Sequence, residues 1–220
     1  MLGRLRTALG RGVVGWLLPA SLLGVWYVAS RLELVAPQIL PAPRLVWDTF
    51  VELVRSGDLV RNGAISLGRV LAGFGLGSAV GLGLGLAMGL SRRVEEYVYP
   101  LCQGIGQVPV LAWIPLFMMV FGIGEGLKVA IIVRAAIIPL AINTAHGIRD
   151  VPASYLEVAR VFRFSQARLL YKVILPATVP AIFTGLRDGL MQSWLALVTV
   201  ELLASSEGLG FLIVWGRQLF

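Results

Sequence analysis

The feature that most restricts the fold of this chain is residues 70–90, VLAGFGLGSAVGLGLGLAMGL, a run without a single charged side chain. At a rise of about 1.5 Å per residue, a helix of this length crosses the roughly 30 Å hydrocarbon core of a bilayer. A water-soluble domain would have to cover such a helix on every side, whereas lipid accepts it directly. The run therefore predicts a transmembrane helix.

The rest of the chain has the same character. Apolar residues make up 57% of the sequence and charged residues 14%, against about 25% charged residues in soluble domains. The sequence predicts an all-α, polytopic membrane helical bundle of about five spans. These spans are 13–30, 70–90, 97–121 (interrupted by Pro109 and Pro115), 127–145 and 179–204.

The remaining segments are polar or mixed. Residues 1–12 are predicted to form an amino-terminal tail, and 31–69 a periplasmic segment with a short interfacial helix, since charges recur there every three or four residues. Residues 70–220 form the predicted core. The first run could also be a cleaved signal peptide, but its length favours an uncleaved helix.

The distribution of charge predicts the orientation. The net charge is +7, and the cations lie in short segments between apolar runs, as the positive-inside rule requires, rather than on a basic face for nucleic acid. The amino terminus is therefore predicted to be cytoplasmic. Cytoplasmic cations in this orientation are Arg4, Arg6, Arg11, Arg92, Arg93, Arg149, Arg160, Arg163, Arg168 and Lys172.

Glycine recurs every fourth residue in 70–90, at Gly73, Gly77, Gly81, Gly85 and Gly89. Residues spaced by four share one helix face, and a face of glycines lets another backbone approach closely. The pattern predicts a helix-packing surface. The neighbouring helix could belong to the same subunit, which is favoured, or to a second copy.

The densest cationic segment lies in the predicted cytoplasmic loop 149–176. Tyr155, Val158, Ala159 and Phe162 follow the spacing of an amphipathic helix, and Ser165 is a predicted N-cap of a second one. The positive-inside rule explains the charge but not the apolar stripes. Such stripes in water favour a groove on a soluble partner.

The loop also carries a resemblance. Glu157-Val158-Ala159 followed by Leu175-Pro176 resembles the "EAA" loop of bacterial ABC importer permeases. The stretches 108–125, 175–190 and 200–210 are similar to the nitrate, sulfonate, taurine and bicarbonate branch of that family. This resemblance implies the type I importer permease fold and transport of a small anionic solute across the bacterial inner membrane.

The resemblance also implies partners: a second permease copy, two cytoplasmic ATPase subunits, a periplasmic substrate-binding protein and the lipid bilayer. Coupling to the ATPase would involve Glu157, Val158, Ala159, Phe162, Arg163, Leu175 and Pro176. The chain has no G-x-x-x-x-G-K-[ST] phosphate loop, so ATP and Mg²⁺ are expected on the partner and this chain is expected to be neither an enzyme nor a cofactor binder. With one Cys and one His, no metal site is expected.

The chain departs from the family pattern in two ways. Arg163 stands where the family usually has a glycine, and an arginine tolerates a left-handed turn poorly. The family also has a further carboxy-terminal span, so a sixth span is expected to be missing from this chain.

Ionisable residues inside predicted spans need a partner or a wet cavity. Pairing is the favoured interpretation, Arg134 with Glu201 and Arg187 with Asp188, since Arg134 lies roughly 10 Å into its span at a depth similar to Glu201. Alternatively, Arg134 or Arg187 contacts an anionic substrate, with Trp113 and Trp194 lining the pathway.

Two other classes of function stay open. A secondary transporter or channel would need no ATPase and typically has inverted repeats and broken helices, neither of which is evident in the sequence. A membrane scaffold could use the loop to dock another soluble protein. The sequence does not name the substrate.

Overall fold

The computed structural model describes the backbone of residues 2–219 and the side chains of residues 16–217. Throughout this range the regular elements are helices, which confirms the all-α prediction. They are α1 (Leu2–Arg31), α2 (Pro43–Arg55), α3 (Asp58–Leu90), α4 (Arg92–Gln107), α5 (Val110–Phe121), α6 (Glu125–Arg149), α7 (Ala153–Val161), α8 (Gln166–Leu169), a π-helical turn (Leu170–Ile174), α9 (Leu175–Ala204) and α10 (Leu209–Leu219).

The chain divides into two compact units, residues 1–60 with 220, and residues 61–219. In the first unit, the indole N–H of Trp26 donates to the carbonyl of Pro41 at 3.0 Å, which ties the end of α1 to the segment before α2. No residue of α2 is buried. The predicted cations Arg4, Arg6 and Arg11 lie outside the described side chains.

The bounds of two predicted segments differ from the structure. The backbone is helical from Leu2, so α1 includes most of the predicted tail 1–12. Residues 58–69, placed in the periplasmic segment, form the first turns of α3, which continues without a break into the glycine run. Since the charges there are few and spaced around an apolar helix, they do not interrupt it.

Two described helical segments are long and apolar enough to cross a membrane, Asp58–Leu90 and Gln166–Ala204. A third candidate is the pair α4 and α5, whose axes differ by 102°. The span over 97–121 was predicted to be broken at Pro109 and Pro115, and the chain does bend sharply at Pro109. The expectation that the chain has no broken helices is wrong. Val108 is extended before Pro109, which disfavours the helical conformation at the preceding residue and has no N–H to continue the ladder.

Helix α6 is the centre of the second unit, because each core cluster includes its residues. Ile131 packs with Ile114 of α5 and Val200 of α9. The carboxy-terminal half of α6 packs on Met88 of α3 and Cys102 of α4.

The glycine face of α3 packs against α6 of the same chain. A Cβ atom added at Gly77 would lie 2.6 Å from the carbonyl oxygen of Val133, and one at Gly85 would lie 2.5 Å from Cβ of Thr144. Real Cβ contacts are not this short, so only glycine lets the two helices approach this closely. Glycines at other positions of α3, such as Gly75 and Gly83, face open space.

Candidate functional site

The loop between α6 and α9 presents an apolar face. Side chains of Tyr155, Val158 and Phe162 are exposed, Val158 by 57%, on one side of α7. Ala159, predicted as part of the same stripe, is only 3% exposed and faces its own chain. Ala159 is therefore not part of the exposed face, because 3.6 residues per turn place it beyond the exposed side of this short helix. Its part in coupling stays a prediction.

The end of α7 explains how Arg163 replaces a glycine. The amide of Phe164 donates to the carbonyl of Ala159 at 3.0 Å. The amide of Arg163 donates to the carbonyl of Arg160 at 2.9 Å. These two bonds define a Schellman motif, whose residue after the C-cap is left-handed. Arg163 has φ +48°, so it adopts the left-handed turn that glycine would adopt without strain.

We expect Arg163→Gly to stabilise this turn by about 1 kcal/mol, because the left-handed conformation costs a residue with a Cβ roughly 1–2 kcal/mol and part of the gain is offset by the freer unfolded chain. Hydrogen exchange at the amides of residues 163 and 164 measures the effect, with slower exchange expected. Arg163→Ala is the control, since it removes the charge but keeps the Cβ. Equal exchange in the glycine and alanine variants would contradict the proposed strain.

The second half of the loop is a continuation of α9. Ser165 Oγ accepts a hydrogen bond from the Arg168 amide at 3.4 Å, which confirms the predicted N-cap. Helical structure is continuous from Gln166 to Ala204, so the helix that contains the predicted span from 179 to 204 begins well before residue 179. Leu175 and Pro176 form the first turn of α9, where proline lacks only an N–H that would have no helical partner.

The loop is anchored to the membrane helices at its start. Arg149, the last residue of α6, forms an ion pair with Glu95 of α4. Val151 is buried next to it along the chain. The start of the loop is thus tied to the end of α6 and to the first turn of α4.

A charge cluster, which we define as Ser66, Arg69, Glu125, Lys128 and Glu201, joins three helices. All of its members are buried except Glu125, whose side chain is 62% exposed. The Glu201 carboxylate accepts hydrogen bonds from Ser66 Oγ at 2.8 and 2.9 Å and from Arg69 Nη1 at 2.8 Å. Arg69 also binds Glu125 through two nitrogen–oxygen contacts of 2.7 and 2.6 Å. Lys128 Nζ lies 2.7 Å from an oxygen of the Glu125 carboxylate.

The carboxylate of Glu201 also organises the loop before α10. It accepts a hydrogen bond from the amide of Gly210 at 3.0 Å. Gly208 has φ +110°, and a Cβ there would lie 2.3 Å from a Glu201 oxygen. A glycine at 208 is thus required both by the backbone conformation and by the close carboxylate.

The predicted pair of Arg134 and Glu201 is wrong, because Glu201 binds Arg69 instead. Sequence reasoning missed Arg69, Glu125 and Lys128. Arg69 and Glu125 lie just outside the predicted spans, and Lys128 is the second residue of the span predicted over 127–145. The only available signal was Arg69 immediately before the uncharged run 70–90.

Arg134 is compensated by backbone carbonyls. Its Nη2 donates to the carbonyls of Ile105 and of Val108, the latter at 2.8 Å. These groups are at the carboxy-terminal end of α4, where helix carbonyls carry partial negative charge. The guanidinium carbon lies 5.1 Å from the centre of the Trp113 ring in α5. Arg134 therefore connects α6 to both sides of the α4–α5 break.

The other predicted pathway residues lie elsewhere. Arg187 is exposed and contacts Asp188 at 3.5 Å, the pair expected from the sequence. Trp194 is at the surface, 38% exposed. Neither Arg187 nor Trp194 lines the cavity beside Arg134.

An all-α chain with these long apolar helices is an integral membrane protein. It belongs to the family described as binding-protein-dependent transport system inner membrane component, which matches residues 79–220. This confirms the resemblance to permease subunits of ABC transport systems.

Relatives of this chain are named for transport of different substrates. The chain is 42% identical over 213 residues to a putative aliphatic sulfonates transport permease protein of Bacillus subtilis (strain 168), covering 95% of this chain and 77% of that protein. It is 36% identical over 197 residues to a nitrate import permease protein of Leptolyngbya laminosa, covering 87% and 71%. It is 35% identical over 199 residues to a taurine transport system permease protein of Escherichia coli (strain K12), covering 88% and 72%.

Proposed function

We propose that this chain is the translocating subunit of an ATP-driven importer for a small oxyanion of the sulfonate type. It works as a homodimer in the bacterial inner membrane, with its amino terminus in the cytoplasm. A periplasmic binding protein delivers the solute, and two cytoplasmic ATPase subunits bind ATP and Mg²⁺. The names of its relatives, which cover sulfonates, taurine, nitrate and bicarbonate, support this class of substrate.

The observation that carries the proposal is the exposed apolar face of α7. Tyr155, Val158 and Phe162 lie in water among cations, and burial of such side chains on a partner yields about 25 cal/mol per Å² of apolar area. A groove on the ATPase would take this face as a helix-in-groove contact. The Schellman motif and the Arg149–Glu95 ion pair hold α7 firmly enough to transmit motion to the spans.

A second candidate is a transporter that needs no ATPase. The bent α4–α5 pair favours it, because secondary transporters use broken helices at their binding sites. It leaves the exposed face of α7 without a role.

The docking test is Val158→Asp, which places a charge in the centre of the proposed contact without altering the core. We expect the amount of ATPase subunit captured with the purified chain to fall at least about tenfold, since an unpaired buried charge costs more than 1.4 kcal/mol. Membrane insertion should be unchanged, and is checked by the yield of the chain in membranes.

Ala167→Asp is the matched control, because it adds the same charge to an exposed position of the same loop. Normal capture is expected for this variant. Equal capture by wild type and Val158→Asp, at equal expression, would remove the basis for docking through α7.

A further inference from the structure

A small cavity lies at the α4–α5 break. Its volume is about 190 Å³, and its walls include Val108, Pro109, Arg134 and Gln192. Since one water takes roughly 30 Å³ in the liquid, the cavity has room for an ion of a few heavy atoms and some water. It is smaller than the roughly 300–1,000 Å³ of pockets for drug-sized ligands.

The positive charge of Arg134 has no acidic partner among the described side chains. Its bonds to two carbonyls use only Nη2, and its Nε is buried without any hydrogen-bond partner. Carbonyl dipoles offset part of the cost of a cation inside an apolar span, but a full counter-charge is missing. An anion in the cavity would supply this counter-charge and would accept a hydrogen bond from Nη1, which makes no bond to the two carbonyls.

A second cavity of about 590 Å³ adjoins the same arginine. Arg134 and Ile138 line both spaces, while the other walls of the larger one are apolar, among them Phe117, Val129 and Val133. Arg134 thus lies at the junction of a polar space and an apolar one.

We propose that Arg134 and these two cavities form a binding site for a small organic oxyanion with a short apolar tail, such as an alkanesulfonate. The guanidinium and the Gln192 amide bind the charged head at the α4–α5 break, and the tail lies in the larger cavity. The role of this site in transport rests on the proposed function, whereas binding itself does not. An inorganic oxyanion such as nitrate would occupy only the head position.

The recognition follows from guanidinium chemistry. A hydrogen bond between a guanidinium and an oxyanion is charge-assisted and about twice as strong as a neutral one. Nη2 of Arg134 is occupied by the carbonyls of Ile105 and Val108, which fix the orientation of the guanidinium and leave Nη1 to donate to the anion. A tail in the apolar cavity adds about 0.8 kcal/mol per buried CH₂ group, which favours an organic anion over an inorganic one.

Trp113 provides a local reporter, because its ring lies 5.1 Å from the guanidinium carbon. Titration of the purified chain in detergent with 1-butanesulfonate should give a saturable change in tryptophan fluorescence. The chain has six Trp residues, so Trp113→Phe identifies the share of the signal from this site. Nitrate, the head without a tail, should bind at least about tenfold more weakly, and 1-butanol, the tail without a head, should give no saturable change.

Two variants test the head and the tail separately. Arg134→Gln should weaken the binding of 1-butanesulfonate at least about tenfold, because a charge-assisted contact is lost. Since that change also removes bonds to α4, Gln192→Leu provides a second test of the head with Arg134 in place, and severalfold weaker binding is expected. Ala130→Leu fills part of the apolar cavity and should weaken 1-butanesulfonate severalfold while leaving nitrate unchanged.

The proposal is overturned if the wild type shows no saturable response, if the response persists in Trp113→Phe, or if the Arg134 and Ala130 variants bind like the wild type. A saturable response to 1-butanol alone would also overturn it and would mark the larger cavity as a site for lipid tails. These experiments need no ATPase or binding protein. Failure of binding is therefore distinct from failure of ATP-driven uptake, which concerns the proposed function.

Discussion

Gly81→Leu will destabilise the helical core by about 3 kcal/mol or more, the upper range for overpacked cores. A Cβ at this position would lie 2.7 Å from the carbonyl oxygen of Ile137 and 3.1 Å from its Cα. Because these are backbone atoms of α6, no side-chain rotation relieves the contact and the two helices must separate. The measurement is thermal unfolding of the purified chain in detergent.

Gly83→Leu is the matched control, since Gly83 lies on the same helix with nothing within 4 Å of its Cβ position. It should unfold at or slightly above the wild-type temperature, because leucine has a higher helix propensity than glycine. If Gly81→Leu and Gly83→Leu unfold alike, the close packing of α3 on α6 is wrong.

Arg69→Leu will lower the free energy of unfolding by about 3–5 kcal/mol, because it leaves Glu201 buried with its counter-charge removed. Arg69 is only 6% exposed and Glu201 1%, so water cannot replace the lost contact. The double variant Arg69→Leu with Glu201→Leu should recover at least half of this loss, since no unpaired charge then remains at 201. Chemical or thermal unfolding in detergent measures the cycle.

Arg61→Leu provides the reference for a surface ion pair. Arg61 contacts Glu207 at 2.9 Å, but its side chain is 70% exposed, so a loss below about 1 kcal/mol is expected. If the double variant Arg69→Leu with Glu201→Leu lost as much stability as the sum of the losses in Arg69→Leu and Glu201→Leu, Arg69 and Glu201 would not act as a pair.

The local features of this fold could be predicted from sequence because each depends on neighbours along the chain. The spacing of glycines by four defined the packing face of α3, and Ser165 followed by a helical segment defined an N-cap. Both depend only on helix geometry.

The partners of charged residues could not be predicted in this way. Arg134 and Glu201 were predicted to lie at similar depths in the bilayer. Pairing also requires that their side chains meet, and α3 places Arg69 against Glu201 instead. The position of the α4–α5 break followed from Pro109, but its 102° angle depends on packing against α6, including the bonds from Arg134. The left-handed Arg163 was evident only from its family position, since its own type disfavours that conformation.

The central claim is that this chain moves an oxyanion only when a separate ATPase subunit hydrolyses ATP. Its most direct test is uptake of radiolabelled 1-butanesulfonate by proteoliposomes that contain this chain and its ATPase, with the binding protein on the opposite side. We predict accumulation that requires ATP, Mg²⁺ and the binding protein, and that stops when the ATPase subunit is omitted. Equal accumulation without the ATPase, driven by an ion gradient alone, would contradict the account and identify a secondary transporter.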